Sequence, residues 1–372
     1  MANRTFLYGV HKGLGAKIIE FAGWEMPVEY EGIKEEHLAV RNSSGVFDIS
    51  HMGEIEIRGP EATSLCQWVF TNDISKIKEF QAQYNLICTP EGGVIDDIIV
   101  YKFSDYRYFV CVNAVNDTRD FEWIRDEGKK RFKAEVIHRS PEFSQIAVQG
   151  PGSQEIVTGV IGEEAKDIKR FYFKEIRWND IPLIVARTGY TGEDGFEVFL
   201  PWNSSRALWE EIFRMRETQG IKPCGLGSRD TLRIEASYPL YRHEIDEGTN
   251  PLEAGLEKFV KLDKGNFIGG EVLSKVKQEG VKKKLVGFEM IEPGIPRQGY
   301  IVLKEGAPVG KVTSGTMCPG LEKPIGMGYV KSGLANPGQE VEIEIRKKGR
   351  RAKVVGLPFL RKIRITKGGI EW

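Results

Sequence analysis

The sequence predicts an α+β protein made of two related halves packed together, followed by a small all-β domain. Three observations predict it. The chain is 372 residues long, more than one hydrophobic core comfortably serves, which points to two or three domains. It echoes itself: Ile55-Glu56-Ile57-Arg58-Gly59-Pro60-Glu61-Ala62 has a counterpart in Ile146-Ala147-Val148-Gln149-Gly150-Pro151-Gly152-Ser153, a sign of internal duplication. Beyond the charged stretch Lys275–Lys284 the texture changes to short alternating segments between turns, the spacing of a small barrel or sandwich.

Each element follows from local pattern. In both halves a strand runs into Gly-Pro and then a helical stretch, Thr63 to Phe70 and Gln154 to Ile161. A hairpin comes next. The first is Tyr84 to Cys88, a turn at Glu91-Gly92-Gly93, and Val94 to Tyr101. The second is Ile181 to Ala186, a turn through Gly192-Glu193-Asp194-Gly195, and Phe196 to Leu200. Apolar residues at helical spacing then predict helices over 116–131 and 204–218. The all-β part reads as strands at Leu285–Met290, Tyr300–Leu303, Val309–Ser314, Ile325–Val330, Glu340–Ile345 and Ala352–Val355. The expected division is residues 1–275 for the two halves and 282–372 for the all-β domain.

Composition narrows the function. Fifty-three basic residues balance fifty-three acidic ones, so no global charge draws the chain to nucleic acid or to a membrane. No window of 18 apolar residues is present, which argues against a membrane span. The five cysteines are scattered without CxxC spacing and the five histidines form no HxxxH pair. His51 and Glu54 have HxxE spacing but no second histidine nearby, so no catalytic metal is expected. The first 19 residues are basic and acid-free but lack a secretory apolar region; a cytoplasmic protein is expected. From Arg346 to Lys367 there are ten Lys/Arg and no acid, which reads either as a solvated basic face or as a dock for an anionic tail or acidic partner.

Acidic residues in apolar strands mark the chemistry. Asp96-Asp97 precedes Ile98-Ile99-Val100-Tyr101, and Glu197 sits within Phe196-Glu197-Val198-Phe199. Alternation puts Asp97, Ile99 and Tyr101 on one face and Asp96, Ile98 and Val100 on the other. Carboxylates in such company are costly to bury unless paired. Two of them, on matching hairpin strands of two related halves, predict the polar floor of a shared ligand cleft. In Gly225-Leu226-Gly227-Ser228-Arg229-Asp230 a glycine-rich turn enters a helix, with Ser228 or Asp230 as N-cap, and Arg229 is placed to meet a ligand carboxylate. The run Arg187-Thr188-Gly189-Tyr190-Thr191-Gly192-Glu193-Asp194-Gly195 is neither a Walker loop nor a dinucleotide fingerprint, because it joins strand to strand. Its glycines permit a tight turn and leave Tyr190 free to cover a ligand.

Taken together, the motifs resemble a family. Phe21-Ala22-Gly23-Trp24-Glu25-Met26-Pro27-Val28, Gly45-Val46-Phe47-Asp48-Ile49-Ser50-His51-Met52-Gly53, Gly92-Gly93-Val94-Ile95-Asp96-Asp97, the Arg187–Glu197 run and Gly225 to Glu235 resemble glycine-cleavage T-proteins, in the right order from about residue 4 to about 362. The resemblance implies a cloverleaf around a central channel: two interleaved, related folate-binding α+β lobes and a C-terminal β-barrel. It implies an aminomethyltransferase that takes an aminomethyl group from the lipoylated H-protein and uses tetrahydrofolate as co-substrate, with no metal and no pyridoxal phosphate. The products are 5,10-methylenetetrahydrofolate, ammonia and the dihydrolipoyl H-protein. By position, Asp97 matches the catalytic carboxylate, Glu197 the carboxylate that holds the pteridine ring, and Arg229 the residue that binds the folate's glutamate tail. Met52, Tyr84, Tyr101, Asn113, Tyr190 and Tyr238 match channel-lining positions.

Two departures stand out. Leu240-Tyr241-Arg242-His243 replaces the Leu-Tyr-Gly-Gln frequent in relatives, and Pro358-Phe359-Leu360 lacks the terminal tyrosine of Pro-Phe-Tyr; both bear on the folate tail or the carrier-protein dock. Folate-dependent demethylases share the expected cleft, but the Asp48 to Gly53 run and the length favour the T-protein. A folate-binding protein of iron–sulfur assembly is the non-enzymatic alternative, and its Lys-Gly-Cys-Tyr motif is absent from this sequence.

Overall fold

The computed structural model describes residues 2–215 and 220–360. The first lobe is a five-stranded antiparallel sheet in the order Gln81–Cys88, Val94–Ser104, Arg107–Val112, Gly53–Arg58, Glu135–His138. Helices Ala62–Val69 and Asp117–Arg131 cover its outer face, and Ile55, Ile57, Leu65, Ile98, Val100, Val110 and Ile124 form the core between sheet and helices. The second lobe repeats the plan. Its sheet runs Phe173–Trp178, Ile181–Ala186, Gly195–Pro201, Phe143–Gln149, Ser44–Asp48, Ile221–Pro223. Helices Ser153–Ile161 and Ser205–Arg214 contribute Ile156, Val157, Leu208 and Trp209 to its core.

In both lobes a three-stranded meander lies beside the strand that ends in Gly-Pro, so the duplication seen in the sequence is present in the fold. The pairing of hairpins inferred from it is not. The meanders include Arg107–Val112 and Phe173–Trp178, two strands that sequence patterning passed over. Their apolar residues face cores on both sides, which blurs the alternation. If Ile55 is matched with Ile146, then Glu56 corresponds to Ala147. Glu56 pairs with Phe109 whereas Ala147 pairs with Glu197. Glu197 is therefore the counterpart of Phe109, on the last strand of its meander, while Asp97 lies on the middle strand of the other. The two carboxylates do not occupy matching places.

The inner faces of the sheets meet through Ala82, Tyr101, Phe103, Phe109 and Cys111 on one side and Phe173, Ile184, Ala186 and Phe199 on the other. The halves are interleaved. Ser44–Asp48, ahead of the first lobe in sequence, pairs with Phe143–Gln149 of the second. The segment after the second lobe returns to the first, where Tyr241, Ile245, Leu256, Phe267 and Leu273 pack on Leu86, Cys88 and Val94.

The C-terminal part is a closed barrel, not a sandwich: Lys283–Met290, Lys323–Lys331, Ala307–Cys318, Ile301–Lys304, Glu340–Ile345, Lys348–Val355. Its interior holds Phe288, Val302, Val312, Ile343 and Val354. Helix Leu226–Glu235 joins it to the lobes. Ile234 packs with Cys318, Ile325 and Met327, and the buried Arg233 donates to Ser314 Oγ at 2.7 Å and to Glu244 at 2.6 Å. In the basic stretch, Arg346 and Lys347 form a turn with φ of 51° and 63°. Residues 361–367 of that stretch and 216–218 of the expected 204–218 helix lie outside the described residues. No helix among the described residues is long and apolar enough to cross a membrane.

Candidate active site

The turn before Asp97 is fixed by close packing. A Cβ at Gly93 would lie 2.0 Å from the Glu247 carbonyl oxygen, so only glycine allows the chain to pass there. The strand that follows obeys the predicted alternation: Ile98 and Val100 enter the helix-side core, Ile99 and Tyr101 the seam between sheets. Asp96 is fully buried on the helix side. Asn113 N at 2.9 Å, Asn113 Nδ2 at 2.9 Å and Asn116 Nδ2 at 2.7 Å all donate to it. Asp97, half-buried on the inner face, accepts from Tyr84 OH at 3.0 Å and Asn113 Nδ2 at 2.9 Å. Burial first, and then the adjacent Asp96 charge, push the Asp97 carboxyl up to about 7, whereas an ordinary aspartate titrates near 4.

Glu197 is set differently. It is buried, and Thr188 Oγ1 donates to its Oε2 at 2.6 Å. Tyr101 OH lies 3.4 Å from the same hydroxyl. Burial raises the Glu197 carboxyl, while the Thr188 hydrogen bond and the Arg229 charge oppose the rise. Gln149 anchors the glycine-rich run: its Nε2 donates to Thr188 O at 3.1 Å and its Oε1 accepts from Thr191 Oγ1 at 2.9 Å. A Cβ at Gly195 would come within 2.3 Å of the Gln149 amide, so this glycine serves close approach. Tyr190 is pinned rather than free. Its hydroxyl donates to the Pro239 carbonyl and its ring lies 5.7 Å from that of Tyr238. The reason is the return of the chain at 238–239, which the local pattern of 187–195 does not contain.

Arg229 emerges from the first turn of Leu226–Glu235. Neither Ser228 nor Asp230 caps this helix; Gly225 stands at the N-cap position without a side chain. Glu36, from another helix, accepts from Gly225 N at 2.8 Å and Ser228 Oγ at 3.1 Å, supplying the negative group a helix N-terminus favours. The Arg229 guanidinium stands 4.8 Å over the Tyr190 ring, and its Nη1 is buried with no hydrogen-bond partner among the described residues. The charges of Arg229 and Glu197 act on each other, and Arg229 helps burial to hold His51 down to about 4. Tyr190 joins the two ends, within electrostatic reach of both Asp97 and Arg229.

The structure thus gathers Asp97, Tyr84, Asn113 and Tyr190 at one end of the seam and Glu197, Tyr101 and Arg229 at the other. Met52 packs into the adjoining clusters, and Tyr238 stacks behind Tyr190. Tyr101 is fully buried among Phe109, Phe173 and Phe199, so its ring is core, with its hydroxyl toward Thr188. Asn113 spends its amide on Asp96 and Asp97. Sequence reasoning missed Thr188, Gln149, Asn116 and Asp120; a polar residue one turn or one loop away carries no local signal of what it will hold. The fold also assembles His37, Glu235 and Cys318, whose ligand atoms lie within 4.8 Å of one another. Arg41 Nε donates to Glu235 at 2.7 Å and Cys318 Sγ lies 3.2 Å from it, so that carboxylate is already engaged within the protein.

Known proteins carry the same pattern. The family model for the GCVT N-terminal domain matches residues 7–264 and that for the glycine cleavage T-protein C-terminal barrel domain matches 283–360. An aminomethyltransferase of Alkaliphilus oremlandii is 47% identical over 357 residues, covering 96% of this chain and 97% of its own. One of Thermoanaerobacter pseudethanolicus is 47% identical over 360 residues, covering 96% and 98%. The crystal structure of glycine cleavage system aminomethyltransferase T from Bartonella henselae superposes with a TM-score of 0.91 at 31% identity, over 97% of this chain and 98% of that one. With both domains matched and nearly the full length shared, the chain belongs to the glycine cleavage T-protein family of aminomethyltransferases.

Proposed function

We propose that this enzyme transfers the one-carbon unit of an aminomethyl group, carried through sulfur on the lipoyl arm of an H-protein, to tetrahydrofolate. The carbon–nitrogen and carbon–sulfur bonds break and two bonds to folate nitrogens form. The two protons lost from those nitrogens go to the leaving amine, which departs as ammonia, and to the thiol of the dihydrolipoyl arm. The observation that carries this reading is the unlike pair of carboxyls in one seam: Asp97 next to Asp96, and Glu197 hydrogen-bonded to Thr188 and within the field of the Arg229 guanidinium.

The residues present suit the pteridine. Its amino group and adjacent ring N–H form a donor pair that a carboxylate accepts, and Glu197 has no cation within 4 Å among the described residues. The neighbouring ring carbonyl needs a donor, and Arg229 Nη1 is a buried donor without a partner. Arg229 therefore belongs with the ring and not, as its family match suggests, with the glutamate tail. Tyr190 and Tyr238 offer an aromatic wall. Asp97, with its proton affinity near neutrality, accepts a proton from a folate nitrogen and stabilises positive charge on the migrating carbon. The lipoylated H-protein is the expected partner, in the cytoplasm.

Tetrahydrofolate-dependent ammonia release from aminomethyl-loaded H-protein tests the reading. Release with turnover is expected. Folate binding without release would move the function to demethylation or to binding alone.

A further inference from the structure

Behind Asp97, away from the seam, lies a second carboxyl pair that the reaction does not touch. Asp120, in helix Asp117–Arg131, has 0% exposure, and neither of its oxygens has a donor among the described residues. It faces Asp96, whose carboxylate collects the two N–H groups of Asn113 and the amide of Asn116. Two buried carboxylates cannot stand against each other both ionised, and among the described residues neither forms an ion pair. Asp96 has the donors; Asp120 has none. The proton therefore rides on Asp120 and is offered to Asp96. Burial and the Asp96 charge both favour the protonated form of Asp120, with Asp117 adding to the effect and Arg119 opposing it. Tyr84 and Tyr241 also lie within reach of the Asp96 charge.

We propose that Asp120 is a positioning residue for Asp97: its carboxyl proton, shared with Asp96, keeps one negative charge on the pair and turns Asp96 so that the Asn113 amide bridges to Asp97. The bridge is explicit. Asn113 Nδ2 lies 2.9 Å from Asp96 Oδ1, 2.9 Å from Asp97 Oδ1 and 3.1 Å from the Asp97 carbonyl oxygen. One amide thus fixes both carboxylates, and Asp120 fixes the first of them. Sharing the proton also draws part of the negative charge toward Asp120, away from Asp97. Networks of this kind hold geometry only when every member is satisfied, which gives a buried, donorless carboxyl a purpose here.

The proposal rests on Asp97 as the catalytic carboxyl and is tested beside it. Asp120→Leu removes the shared proton. At neutral pH kcat should fall on the order of 10- to 10²-fold, the scale of a misplaced reacting group, and the acid limb of the kcat–pH profile should move up by about one unit as the full charge returns to Asp96. KM for tetrahydrofolate should hold. Asp120→Asn keeps an N–H donor toward Asp96 and should restore most of kcat and the limb. A purely structural role would give no such rescue. Independently of whether Asp120→Leu folds, the infrared difference spectrum of wild type minus Asp120→Asn at neutral pH should show one buried protonated-carboxyl band. A folded Asp120→Leu with wild-type kcat and limb, an Asp120→Asn as impaired as Asp120→Leu, or no such band would each overturn the proposal. Asp97→Asn in the same series separates the two readings: full turnover in that variant would remove Asp97 from catalysis, while the infrared band would still report the shared proton.

Discussion

The two ends of the seam hold the same functional group in opposite company. Asp97 is half-buried beside an anion, and its proton affinity rises to about 7. Glu197 is buried, takes a hydrogen bond from Thr188 and feels the Arg229 charge. Burial alone would raise both. The neighbours separate them: the Asp96 charge adds to burial at Asp97, whereas the Thr188 hydrogen bond and the Arg229 charge oppose burial at Glu197. Role follows from environment, not from residue type, and each variant below attacks one side of that contrast.

Asp97→Asn should have the largest effect, a fall in kcat on the order of 10²–10⁴-fold, the usual scale of a positioned acid or base, measured as ammonia release at saturating folate. Next comes Glu197→Gln. It replaces one charged acceptor by an amide that must point a donor at the ring edge. Hydrogen bonds to charged groups contribute about 1.5–3 kcal/mol, so tetrahydrofolate should bind about 10- to 150-fold more weakly by calorimetry, with kcat at saturation little changed. Arg229→Gln should weaken tetrahydrofolate and a tetrahydropterin lacking the benzoyl-glutamate by the same factor, about tenfold, as one hydrogen bond requires. A loss confined to the tailed ligand would return Arg229 to the tail. The pH profile gives the finest test. Asp97 acts when deprotonated, so activity should rise as pH increases through about 7, well above the ordinary carboxylate range. Asp96→Asn removes the neighbouring anion, lets Asp97 release its proton more readily, and should move that limb to lower pH.

Much of this was legible in the sequence because it depends on short-range order. Alternation placed Asp97 and Tyr101 on one face and Asp96 on the other, and the Gly-Pro echo revealed the duplication. Strand spacing gave the all-β C-terminal domain but left barrel and sandwich open. What failed depended on partners distant along the chain. The Leu226–Glu235 helix is capped by Glu36, 189 residues before Gly225, so no residue near the helix start announces it. Tyr190 is tied to Pro239, 49 residues on. The strand Arg107–Val112 is apolar on both faces and Phe173–Trp178 mixes apolar with charged residues on both, and without these strands Asp97 and Glu197 looked equivalent. Arg229 matches a tail ligand by position, and the sequence holds no sign that its charge acts on Glu197, which is the ground for proposing it at the ring instead. Asp120 showed only as one more acid on a charged helix; its burial against Asp96 is a property of the packed lobe.

The contrast between the two carboxyls is tested most directly by measuring, for Asp97→Asn and Glu197→Gln side by side, the dissociation constant of tetrahydrofolate and kcat for ammonia release from aminomethyl-loaded H-protein. The account predicts a crossed result: Asp97→Asn keeps affinity and loses kcat, while Glu197→Gln loses affinity and keeps most of kcat. Two variants that lose affinity and kcat in the same proportion would contradict it, because the carboxyls would then share one role.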